Sequence, residues 1–215
     1  MSLPFPKAVI FDWDNTLIDS WITIHHALSV TFKEMGRTPW TLEEAKGRVR
    51  ASARDSFPVI FGADSDIATK IFYNTYEANH LDVLTPLPYA KELLDSLKKA
   101  NVYLAIVSNK QGVILRKEVE HLGWGSYFNQ VIGANDAAQD KPNPMGVALA
   151  LEGSGLHPDQ SVWFVGDTDI DLQCAHNAKC YPVLVRPTAP VQGEFDNIEP
   201  AQYFTSCLDI MNSLS

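Results

Sequence analysis

A chain of 215 residues, 46% hydrophobic and 20% charged, can bury its own core without a disulfide or structural metal. Its formal net charge of −9 argues against general nucleic-acid binding, although a local basic site could still take a small anion. No apolar run approaches the ~20 residues of a membrane span and the first seven residues lack a signal-peptide core, so a cytoplasmic protein with no membrane contact is expected.

The first apolar run, Ala8–Phe11, is short, rich in Val, Ile and Phe, and lacks polar alternation. Strands buried on both faces of a parallel sheet read this way. From Phe11 to Val102 no further strand is convincing. Helical patterns cover 21–35, 41–50 and 66–80, with a capping-box pair at Thr41 and Glu44 and a helix end at Met35-Gly36. Thr85-Pro86-Leu87-Pro88 marks a return. Residues 19–84 are therefore expected to form a helical cap domain, inserted into a core made of residues 1–18 and 85–215.

Beyond that point Ala90, Leu93, Leu94 and Leu97 make one helical stripe, and 102–107 reads as the second core strand. Val113, Leu115, Val119 and Leu122 make a looser stripe closed by Gly123. Further strands are expected at 130–132, 162–165 and 182–185, and Pro144 can open a helix reaching Leu151. A loop follows over 186–200, then a short edge strand at Tyr203-Phe204 and a last helix capped by Ser206. Such alternation implies an α/β fold with right-handed crossovers.

Chemistry gathers at the carboxyl ends of these strands, where open α/β sheets bind ligands. Asp12-Trp13-Asp14-Asn15-Thr16 follows the first strand, and carboxylates beside a buried strand need a cation or a reacting group. Ser108-Asn109-Lys110 follows the second. A hydroxyl and N–H groups at such a turn can cradle phosphate, although a helix N-cap is the ordinary reading of one Ser-Asn pair. Lys141 opens a helix, where a cation is disfavoured without an anionic partner. Gly166-Asp167-Thr168-Asp169-Ile170-Asp171 ends another strand. A calcium loop is rejected there, because Leu172 and Ala178 stand where its glycine and glutamate belong.

The succession DxDxT, Ser-Asn, Lys and GDxxxD resembles the four motifs of haloacid dehalogenase-like phosphatases, over most of the chain. The phosphoglycolate phosphatase-like branch, with a helical cap between the first two motifs, is the most similar. The resemblance implies a Rossmann-like parallel sheet of order 5-4-1-2-3, and Mg²⁺ as cofactor. It makes Asp12 the nucleophile and a metal ligand, and Asp14 the general acid/base with its backbone carbonyl on the metal. Ser108 and Asn109 become phosphate-binding residues, Lys141 the catalytic and phosphate-binding lysine, Asp167 a metal ligand and Asp171 a support of the metal shell. Thr16 orders the first loop. Asn15 departs from the family's usual glycine, but asparagine tolerates positive φ better than other side chains.

The implied activity is Mg²⁺-dependent hydrolysis of a small phosphomonoester, phosphoglycolate-like or a sugar phosphate, through an aspartyl-phosphate on Asp12, by a monomer or homodimer. A phosphomutase of the β-phosphoglucomutase type and a non-catalytic binding protein that has kept the fold are the alternatives. Arg48, Arg50 and Arg54 cluster in the cap, with Arg54 the favoured reader of the substrate and a solvated basic face the plainer account. The six histidines show no metal spacing, and Cys174, Cys180 and Cys207 show no CxxC pattern, so both sets are read as structural. Trp13, Trp21 and Trp40 either line the cap–core boundary or fill the core.

Overall fold

A computed structural model describes residues 5–214; residues 1–4, part of the stretch searched for a leader, and residue 215 lie outside the described residues. Strand β1 (Ala8–Phe11) leads directly to Asp12. A two-residue strand β2 (Ile18–Asp19) follows, then helices α1 (Trp21–Glu34), α2 (Leu42–Arg48), α3 (Ala53–Phe61) and α4 (Ser65–Glu77). Strand β3 (Thr85–Pro86) pairs antiparallel with β2, so this ribbon brackets the four helices. The remainder alternates: α5 (Ala90–Lys99), β4 (Tyr103–Gln111), α6 (Gly112–His121), β5 (Gln130–Ala134), α7 (Met145–Leu151) and β6 (Val162–Gly166). It closes with α8 (Asp169–Ala178), β7 (Tyr181–Val185), β8 (Gln202–Phe204) and α9 (Cys207–Ser213).

The main sheet is parallel throughout, in the order β5-β4-β1-β6-β7-β8. Counted over the first five of its strands this is the expected 5-4-1-2-3 arrangement, and β8 adds a sixth strand at the edge beside β7. Neighbouring residues of β1 serve opposite layers. Val9 and Phe11 pack with Leu93, Leu94 and Leu97 of α5, while Ala8 and Ile10 pack with Val147 and Ala150 of α7 and Ala175 of α8. Both faces are covered, which is why the strands read as unbroken apolar runs. The crossing of β1 between β4 and β6 brings three strand ends together.

The helices between β2 and β3 share an apolar centre of Leu28, Phe32, Ala45, Phe57, Phe61 and Ala68. The Thr41–Glu44 capping box forms in both directions, at 3.2 and 2.8 Å. Two features depart from expectation. Helix α3 forms although Pro58 lies inside it, and the β2–β3 ribbon was not foreseen. Gly123 takes φ +68° at the end of α6, as its place after the apolar stripe suggested.

Candidate active site

Asp12 is held at the mouth of the sheet because its N–H still bonds to Val165 O, 2.8 Å away, extending the β1–β6 pairing by one residue. The chain then turns sharply. Asn15 takes φ +60° and donates its N–H to Ile18 O at 2.6 Å, so asparagine here adopts the conformation for which glycine is the usual choice. The turn places Asp14 beside Asp12 on the wall of one cavity. Thr16, expected to order this loop, is buried in it, but its hydroxyl has no hydrogen-bond partner among the described residues.

The pairing of β4 with β5 shifts register between Val107 and Gln111, which lifts Ser108, Asn109 and Lys110 out of the regular ladder. Ser108 is buried and lines the cavity. The Asn109 side chain accepts from Lys141 N at 2.9 Å and donates to Lys141 O at 3.1 Å. Its amide therefore fixes the position of Lys141, an arrangement that sequence reading did not anticipate.

Lys141 Nζ, almost wholly buried, lies 2.9 Å from Asp12 Oδ1 and 2.6 Å from Asp171 Oδ1. This is the anionic partner that its place near a helix start required. Asp171 also caps α8: its Oδ2 accepts from Thr168 N at 3.1 Å and Thr168 Oγ1 at 2.8 Å. Both Asp171 oxygens are thus engaged by protein donors. Gly166 makes this approach possible, since a Cβ there would sit 2.3 Å from Asp171 Cβ.

Carboxylate oxygens of Asp12, Asp167 and Asp171 lie within 4.8 Å of one another. Burial pushes the Asp12 carboxyl up to about 6, against the pull of Lys141 and with added repulsion from Asp171 and Asp14. Burial, then the charges of Asp171 and Asp12, drives Asp167 well above the usual carboxylate range. Burial opposes the charge on Lys141, but Asp12 and Asp171 outweigh it and hold the ammonium above its ordinary range. Clustered acids with an oxygen-only donor set suit a hard divalent cation such as Mg²⁺. Asp12 Oδ1 and Asp14 Oδ1 are buried without an aligned hydrogen bond, although each lies beside a lysine ammonium. The residues therefore fit a cation.

A second buried network lies behind Asp14. Lys110 Nζ is 2.7 Å from Asp14 Oδ1, 2.6 Å from Glu118 Oε2 and 2.7 Å from Tyr76 Oη. Glu118 also accepts from Trp13 Nε1 at 2.6 Å and pairs with His80 Nδ1 at 2.8 Å. None of Tyr76, Lys110 and Glu118 was given a role from sequence. Glu118 sits within an apolar helical stripe, and only a buried charge needing partners could have signalled it.

Arg54 is placed differently from the expectation. Its guanidinium pairs with the buried Asp140 at 2.7 Å and lines a separate hollow with Gln139 and Asn177, away from the cavity wall. Arg48 and Arg50 line the cavity instead. Trp13 is core, while Trp21 and Trp40 line the cavity. His80 is buried against Glu118, and the three cysteines are buried and unpaired. No described helix is long and apolar enough to cross a membrane.

The sequence profile of the haloacid dehalogenase-like hydrolases matches residues 9–185. A phosphoglycolate phosphatase from Aquifex aeolicus (strain VF5) is 30% identical over 173 residues, spanning 80% of this chain and 81% of the relative. The crystal structure of a HAD-superfamily hydrolase from Ehrlichia chaffeensis is 32% identical, with a TM-score of 0.68 over 99% of this chain and 98% of its own. A haloacid dehalogenase-like hydrolase from Streptococcus pneumoniae, 24% identical, shares the fold with a TM-score of 0.84 over 98% of this chain and 99% of its own.

Proposed function

The chain belongs to the haloacid dehalogenase-like hydrolases, and from that premise we propose that it hydrolyses a small-molecule phosphomonoester through a covalent aspartyl-phosphate on Asp12. The observation that carries this reading is the Asp12–Lys141–Asp171 contact beside Ser108 and Asp167 on one cavity. A carboxylate nucleophile and a phosphate dianion repel, so positive charge must be fixed between them. Lys141 is held there by Asp171 and by the Asn109 amide. Asp12 then attacks phosphorus, and the ester oxygen leaves as an alcohol with a proton from Asp14. Asp14 next takes a proton from water, which attacks the aspartyl-phosphate and restores Asp12 with release of inorganic phosphate.

Asp12, Asp167 and the Asp14 carbonyl would hold Mg²⁺, with Asp171 behind them, and the bound ion would offset the negative charge gathering on the phosphoryl group. The inserted helices act as the cap that closes this site from water, with residues 19–84 as their domain. The name of the Aquifex aeolicus relative makes phosphoglycolate the first ester to test, with sugar phosphates next. Three unpaired thiols support the cytoplasm as its compartment.

The test is phosphate release from a panel of phosphomonoesters in Mg²⁺, with acid-quenched mass spectrometry of the protein. The wild type should carry a phosphate adduct on Asp12 during turnover, and Asp12→Asn should show neither adduct nor turnover. Absence of hydrolysis across the panel, or an adduct on another residue, rejects the reading.

A further inference from the structure

The wall facing away from the catalytic carboxylates bears on the part of the substrate that is not phosphate, and this inference rests on the phosphatase reading. We propose that the released alcohol carries an uncharged apolar body about one ring in size, not a second anionic group or a polyhydroxylated chain.

Size is the first ground. The cavity amounts to about 140 Å³, and an engineered cavity of about 150 Å³ lined by Leu, Ile and Phe holds benzene. The phosphoryl group beside Asp12, Ser108 and Lys141 takes part of that space, which leaves room for a body of about one ring at most.

Lining is the second. Beyond the catalytic residues the apolar part of the wall includes Trp21, Ile24, Trp40, Val49, Phe72 and Tyr73. All six are only half-buried, in contrast to the fully buried sheet core. An apolar ligand body would take this surface out of water, which is the condition under which aromatic walls contribute to binding.

Charge is the third. Every cation on the wall already has an anionic partner. Lys110 is paired with Asp14 and Glu118, and Lys141 with Asp12 and Asp171. Arg50 is paired with Asp169 at 3.1 Å and donates to Lys46 O and Val49 O. Arg48 lies 3.6 Å from Glu44 and over the Trp40 ring. A second carboxylate or phosphate on the substrate would have to compete with these carboxylates for each cation. Two of the wall hydroxyls are committed as well, Ser52 to Asp55 and Ser56 to Ser52 O. A polyhydroxylated chain laid on the aromatic part of the wall would lose water contacts there, which costs free energy unless hydrogen bonds replace them.

The experiment compares kcat/KM of the wild type in Mg²⁺ for 2-phenylethyl, 2-cyclohexylethyl and ethyl phosphate, phosphoglycolate and glucose 6-phosphate. The three simple primary alcohols are similar leaving groups, so differences among them report binding. Both ring-bearing esters should exceed ethyl phosphate and phosphoglycolate by about tenfold or more, chiefly through KM, since burying even one methylene is worth about tenfold. Benzylphosphonate should inhibit more tightly than methylphosphonate by a similar factor. Trp21→Ala removes a wall residue that belongs to none of the packed cores, and should narrow the ratio of phenylethyl to ethyl ester. Equal or better turnover of ethyl phosphate, phosphoglycolate or glucose 6-phosphate overturns this inference and leaves the phosphatase reading standing. Failure to hydrolyse any ester overturns both.

Discussion

Asp14 illustrates how a single side chain depends on groups far along the chain. Its Oδ1 faces Lys110, whose ammonium is also gripped by Glu118. Burial would raise the Glu118 carboxyl, but Lys110, His80 and Trp13 together hold it below the usual range. Glu118 thus stays ionised inside the protein and anchors the cation that orients Asp14. If Asp14 protonates the leaving alcohol, Asp14→Asn should slow phosphoenzyme formation far more for an alkyl phosphate than for p-nitrophenyl phosphate. A poor leaving group needs the proton, and general acid–base catalysis is worth about 10²–10⁴-fold. Rapid-quench measurement of the adduct on Asp12 decides this, and equal slowing for both esters would remove Asp14 from the acid role. The carboxylate pair itself was legible, because a buried strand seldom runs into two acids unless a cation or a reacting group meets them. Lys110 and Glu118 were not. A glutamate three residues after Leu115 falls on the apolar face of its helix, and local pattern names no partner for it until the fold sets it against Trp13, Tyr76 and His80.

Among elements, the β6–α8 turn carries the tightest constraint. Asp171 caps α8 through Thr168 and holds Lys141 at the same time, and it can do both only because Gly166 has no side chain. Gly166→Ala would force Asp171 away from one partner or both. Overpacking of this kind costs about 1–3 kcal/mol, so a fall in Tm should accompany a loss of turnover larger than the folded fraction explains. Thermal unfolding by circular dichroism beside initial rates measures both, and unchanged activity in a folded variant would show that Lys141 needs no help from Asp171. The sequence pattern located this turn through its acids but not through the role of its glycine. Other elements were harder. Pro58 reads as a helix breaker, yet α3 runs through it with Phe57 and Phe61 packed into the centre of the insertion. The β2–β3 ribbon has two residues per strand, too few to show any alternation. Both depend on tertiary contacts that local pattern does not encode.

For the molecule as a whole, the site is a concentration of buried charge that the fold tolerates without fully balancing. Asp12 moves from an ordinary value of 3.8 to about 6, chiefly through burial. That rise corresponds to about 3 kcal/mol against the ionised form, and Asp167 is raised in the same direction. A carboxyl raised on folding contributes stability at low pH, and the contribution is lost as pH climbs through the folded value. The metal-free protein should therefore lose stability between about pH 4 and pH 7 on account of this site. A divalent cation has the opposite pH preference, because it binds the ionised carboxylates and competes with protons. At a hundredfold excess over Kd, Mg²⁺ adds about 2.7 kcal/mol, or roughly 5–10 °C in Tm for a chain of this length. The expected outcome is a clear rise in Tm on adding Mg²⁺ at pH 7.5 that shrinks markedly at pH 5, where Asp12 is mostly protonated. Differential scanning calorimetry at both pH values, with and without chelator, tests it. An equal shift at the two pH values would mean that Asp12 and Asp167 are not the groups displaced by the ion, and no shift at pH 7.5 would mean that these carboxylates do not bind Mg²⁺.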